Sequence, residues 1–145
     1  RGTSVISATA PEITGPITGS TTVTVLQSLI NGVQFNVPDL GSNEVFFAMV
    51  TVPAGLASFS VQMTGPGSAG PGDGDIYVFD PLNALPTGFG AGGTTSPTYR
   101  CRPWLYGTNE TCTINNPAAG SYIVAVHNYP GVGGLTGAAL RLTHP

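Results

Sequence analysis

No window of about a dozen residues in this chain carries the apolar period of a helix; short alternations recur instead, each cut off by a turn signal. TVTVL (22–26) alternates, Asn31-Gly32 turns the chain, and VQFNV (33–37) alternates again. EVFFAMVTV (44–52) is long enough for a strand buried over most of its surface. Pro53-Ala54-Gly55 turns it into LASFSVQM (56–63), where Leu56, Phe59, Val61 and Met63 are candidate core. A Gly/Pro loop, TGPGSAGPGDGD (64–75), leads into the short apolar strand DIYVF (75–79). Residues 80–98 are too irregular to predict an element. NNPAAG (115–120) and PGVGG (130–134) are turns that bracket the strand SYIVAVHNY (121–129), and LTGAALRL (135–142) closes the series. Roughly seven to nine strands spaced by turns predict an all-β fold, an antiparallel sandwich or jelly roll. Residues 1–22, rich in Thr, Ser, Gly and Pro, read as a linker or N-terminal arm, with the domain spanning 23–145.

The 145 residues suffice for one core. Only 8% are charged, lysine is absent, and the net charge is −3 with no basic cluster. An electrostatic grip on nucleic acid or anionic lipid is therefore not expected. No apolar run reaches the roughly 18–20 residues that span a bilayer. The opening RGTSVISATAPEITGP has no apolar segment of the signal-peptide kind. A mature secreted fragment, or a domain cut from a larger protein, would look the same.

CRPWLYGTNETC (101–112) concentrates both cysteines and the single tryptophan, with Arg102 inside it and Arg100 just before it, two of the four arginines. Its spacing excludes a C-x-x-C dithiol. A zinc site would need further ligands, and only His127 and His144 could add imidazole. A Cys101–Cys112 disulfide fits better. Across a hairpin it would contribute roughly 2.5–3 kcal/mol and imply an oxidising compartment. The alternative is two buried reduced cysteines in a cytosolic domain, which the lysine-free, charge-poor composition disfavours. Asn109-Glu110-Thr111 has the form of an N-glycosylation sequon, a triplet frequent by chance.

The order GDGDIYVF (72–79), YRCRPWLYGTNETC (99–112) and NNPAAGSYIVAVHNY (115–129) resembles the bacterial pre-peptidase C-terminal domain. That family pairs an Asp-x-Asp-(Leu/Ile)-Tyr-Val strand with a Cys-Arg-Pro-(Tyr/Trp)-x-x-Gly-x-x-Glu-x-Cys hairpin and a Pro-x-x-Gly-x-(Tyr/Trp) turn. NGV (31–33), NEVFFAMVTVPAG (43–55) and LASFSVQM (56–63) fit its opening, so the likeness covers about residues 23–143. The resemblance implies a jelly-roll β-sandwich. It also implies a non-catalytic accessory domain at the C-terminal end of a secreted bacterial hydrolase, usually a protease. Its roles would be adsorption to insoluble protein such as collagen, secretion, or restraint of the parent enzyme. The collagen-binding domains of clostridial collagenases are similar in fold.

Set against this frame, the motif residues take expected roles. Cys101 and Cys112 would pin two adjacent strand ends. Arg100 and Arg102 would point to opposite faces, one of them pairing with Glu110. Trp104 and Tyr106, two apart, would share a face, either covering a sheet edge or forming an aromatic platform for a protein or sugar. His127 and Tyr129 are the outward candidates on the strand that carries the collagen-contacting tyrosines of the collagenase relatives. An exposed His127 would titrate near neutrality. Asp73 and Asp75 are candidate calcium ligands, with Asp80, Glu44 and Asn43 as further oxygens. The acidic segment that completes the collagenase site has only Glu12 here. No G-x-S-x-G elbow accompanies the two histidines, so independent catalysis is not expected.

Overall fold

A computed structural model describes residues 26–65, 72–81, 85–94 and 98–145. The predicted arm at 1–22, the start of the 22–26 alternation and part of the Gly/Pro loop lie outside the described residues. Nine strands are present among those described: β1 (Gln27–Ser28), β2 (Gln34–Asn36), β3 (Val45–Val52), β4 (Ser58–Thr64), β5 (Gly74–Phe79), β6 (Tyr99–Cys101), β7 (Glu110–Asn115), β8 (Gly120–Asn128) and β9 (Ala139–Thr143). They form two sheets, ordered β1-β3-β8-β5-β6 and β2-β9-β4-β7. Every pairing is antiparallel except the short edge pair β1-β3. The predicted sandwich is what forms.

The period of two explains the interior. Ala48, Val50 and Val52 of β3, Ile76 and Val78 of β5, and Tyr122, Val124 and Val126 of β8 face inward from one sheet. Phe59, Val61 and Met63 of β4, Cys112 and Ile114 of β7, and Leu140 and Leu142 of β9 meet them from the other. Leu56, also predicted core, is half-buried against this cluster. The Phe59 and Tyr122 rings touch edge to face across the gap at 5.1 Å. Burying each such aromatic side chain contributes about 1.5–3 kcal/mol.

A second apolar layer covers the opposite face of the five-stranded sheet. Tyr77, Phe79, Ile123 and Ala125 are buried there, with Leu85 and Phe89 packed on them. Those last two come from residues 85–94, inside the stretch too irregular to predict, and this part covers the sheet. Both faces of β5 and of most of β8 are therefore dry. This is why DIYVF and YIVAV read as unbroken apolar runs instead of alternating.

Candidate functional site

The cysteine segment builds a loop that bridges the two sheets. β6 pairs with β5 in the first sheet, whereas β7 pairs with β4 in the second. Cys101 and Cys112 are disulfide-bonded with Cα atoms 5.7 Å apart, so the bond staples sheet to sheet. The expected pinning of adjacent strands in one hairpin is thus corrected: the chain crosses the sandwich between the two sulfurs.

Two carboxylates hold this loop. Glu110 is buried at the start of β7, and its oxygens accept Ile76 N–H and Leu105 N–H, both at 2.7 Å. β6 leaves β5 after Cys101, so the carboxylate takes the place of the missing strand partner at Ile76. Burial pushes the Glu110 carboxyl above its ordinary range, opposed by those two hydrogen bonds. Asp73 Oδ1 accepts Gly107 N–H at 2.7 Å, and Asn109 Oδ1 accepts Gly65 N–H at 3.2 Å.

The arginines do not follow the expected pairing. Arg100 lies 3.7 Å from Asp80 at the surface. Arg102 is buried, 3.8 Å from Asp75, and Glu110 is occupied by backbone donors instead. The Arg102 guanidinium lies over Tyr77 at 4.8 Å and over Trp104 at 3.3 Å from the ring centres. Gly93 makes room for it: a Cβ at that position would come within 2.6 Å of Nη1. Asp75 faces a dry environment. Burial, then the Glu110 charge, push its carboxyl up to about 7, against the pull of Arg102.

His127 is not outward. It is fully buried in the second apolar layer, next to Asp75 in register. Nε2 lies 3.0 Å from Asn43 Oδ1, and the ring packs 5.4 Å from Phe89. Burial first, then Arg102, lower its pKa. Alternation placed it on the correct face, but that face is roofed by residues 85–94. It therefore makes no surface contact and does not titrate as an exposed imidazole. His144, the other candidate base, bonds Asn31 near the last strand.

The candidate calcium donors are spread over separate partners. Asp75 is buried against Arg102, Asp73 receives Gly107 N–H, Asp80 faces Arg100, Glu44 accepts Gly41 N–H and Asn43 faces His127. Among the described residues no group of three or more His, Cys, Asp or Glu side chains is arranged to hold a metal ion.

The aromatic residues do converge. Trp104 adopts a left-handed backbone, φ 53°, which breaks the extended path and with it the predicted two-residue alternation. Trp104, Leu105 and Tyr106 in consequence all reach the surface, 52%, 55% and 81% exposed. With Asp73, Tyr129 and Val132 they line one open cleft of about 370 Å³. Three of the four predicted binding residues, Trp104, Tyr106 and Tyr129, meet there. Asp73 joins them as a wall of the cleft. Leu105 and Val132 were missed; an apolar residue inside a loop closed by Gly107 was the available signal for Leu105.

Residues 44–128 match the bacterial pre-peptidase C-terminal domain. The chain belongs to that family. Pre-peptidase C-terminal sequences similar to this one occur within bacterial proteases. The alkaline serine exoprotease A of Vibrio alginolyticus is 34% identical over 74% of this chain, and the neutral protease of Vibrio proteolyticus is 36% identical over 58%. Xanthomonalisin of Xanthomonas sp. is 34% identical over 44%. The chain spans only 17%, 12% and 6% of those proteins. Its fold is shared with PliG of Aeromonas hydrophila, a periplasmic lysozyme inhibitor: TM-score 0.58 at 14% identity, covering 83% of this chain and 97% of that one.

Proposed function

We propose that this pre-peptidase C-terminal domain is the non-catalytic accessory domain of a secreted bacterial protease, and that it docks insoluble protein through the cleft of Trp104, Leu105, Tyr106 and Tyr129. The cleft carries the reading: exposed aromatic and aliphatic side chains converge on a loop held by a disulfide and two carboxylates. Aromatics presented on a rigid support dock a partner with little ordering cost. The partial matches to proteases support attachment to a catalytic domain. The disulfide agrees with an exported protein.

The test is retention of the isolated chain on collagen, gelatin, elastin and chitin. Retention on a protein matrix, reduced at least tenfold by Tyr106→Ala, is the expected result. No retention on any matrix would defeat docking and favour a role in export or in restraint of the parent enzyme. Loss of that role would be read from export and specific activity of the parent with and without the domain. Retention on chitin alone, lost with Tyr106, would make it a carbohydrate-binding module.

A further inference from the structure

We propose that the cleft is specific for a cation and takes a lysine or arginine side chain of the docked protein. This rests on the docking reading above and names the chemistry it selects.

The cleft combines rings with one carboxylate. Tyr106, Tyr129 and Trp104 line it together with Asp73. Aromatic faces attract ammonium and guanidinium groups through their quadrupoles, and a carboxylate beside them adds charge and fixes the depth of entry. Leu105 and Val132 supply the apolar surface that the methylene stem of such a side chain covers.

Asp73 keeps acceptor capacity for this task. Its Oδ1 takes Gly107 N–H, and a carboxylate has two oxygens with several lone-pair positions. None of the three described arginines pairs with it. Arg100 faces Asp80, Arg102 faces Asp75, and Arg141 lies on β9 in the other sheet. The chain contains no lysine that could compete for the cleft.

Among the described residues, Arg102 is the arginine behind the site. It stacks on Trp104 at 3.3 Å, so the face of that ring it covers is already occupied by a cation. Its side chain is only 2% exposed and faces Asp75, with buried Glu110 nearby in charge. The cation–π attraction in the cleft accordingly falls to Tyr106 and Tyr129, while Trp104 acts as a wall.

Trp104 is the only tryptophan, so its fluorescence reports occupancy of the cleft without a label. The chain is titrated with Nα-acetyl-lysine amide, Nα-acetyl-arginine amide and, as the neutral control, Nα,Nε-diacetyl-lysine amide. A saturable response to either cation in roughly the millimolar range, and none to the neutral control, is expected for so small a ligand. Asp73→Asn keeps an oxygen for Gly107 N–H and removes the charge; it should weaken the cation response about five- to tenfold. An equal response to the diacetylated control, no response to either cation, or an unaltered response in Asp73→Asn would overturn the proposal. Matrix retention is scored separately. Retention that needs Tyr106 but ignores both Asp73→Asn and free lysine refutes the cation while leaving docking intact. Absence of retention with a selective lysine response refutes docking alone.

Discussion

Substituting Asp75 by Asn should flatten an unusual pH dependence of stability. In the folded protein the Asp75 carboxyl is held at about 7, against an ordinary 3.8, by burial and by the Glu110 charge. The native state therefore holds this proton at pH values where the unfolded chain has released it. The stabilisation is fully present below about pH 4 and is lost as pH rises through about 7. Between pH 8 and pH 5 the difference amounts to about 2–3 kcal/mol in favour of the acid condition, or roughly 8–12 °C in melting temperature. Glu110, also raised, adds to the trend. His127 acts oppositely: its folded pKa is lowered, so stability falls as pH drops below the ordinary 6.5 toward the folded value. The measurement that isolates Asp75 is thus a difference, the pH profile of the parent chain minus that of Asp75→Asn, by urea unfolding at pH 5, 6, 7 and 8. Asn resembles the protonated Asp75 that the parent holds below about pH 7, and the attraction of the ionised carboxylate to Arg102 is already contained in its folded pKa, so the difference between the two profiles is the Asp75 titration itself. Identical slopes for the two proteins, or an Asp75-dependent part that rises with pH, would refute the reasoning.

Three further outcomes are expected. Reducing the Cys101–Cys112 bond, or replacing both residues by Ala, should cost about 2.5–3 kcal/mol in urea unfolding, because it frees a loop of sequence separation 11. Glu110→Gln should cost about 1–3 kcal/mol and alter Trp104 fluorescence, since an amide oxygen serves one of Ile76 N–H and Leu105 N–H while its NH2 faces the other donor. Tyr106→Ala should change stability by no more than about 0.5 kcal/mol, as the side chain is largely exposed, so any lost retention would report binding and not unfolding.

The site was legible in part. Trp104, Tyr106 and Tyr129 stood out as exposed aromatics in a lysine-free chain, and they do share a cleft. Leu105 stayed hidden because a strand-like reading points it away from Trp104; only the left-handed turn at Trp104 brings it round. Val132 lies in a glycine turn, PGVGG, that has no pattern to read. Glu110 looked like a partner for Arg100 or Arg102 because a carboxylate across a hairpin from two guanidinium side chains suggests an ion pair. Its backbone role depends on where β6 leaves β5, which is a matter of register.

Local periodicity alone determined that this chain makes a two-sheet sandwich, and which side chains of each strand share a face. The two cysteines with the Asp-Gly-Asp strand were enough to identify the family. What covers each face was decided by tertiary structure. Alternation fixes the direction of a side chain relative to its own strand, and burial depends on a segment distant in sequence. Residues 85–94 have no period, yet they roof the five-stranded sheet, so His127 and Asp75 are dry where the strand pattern pointed them outward. The disulfide follows the same logic: the cysteines predicted a bond, but only the strand pairings made it a bond between sheets.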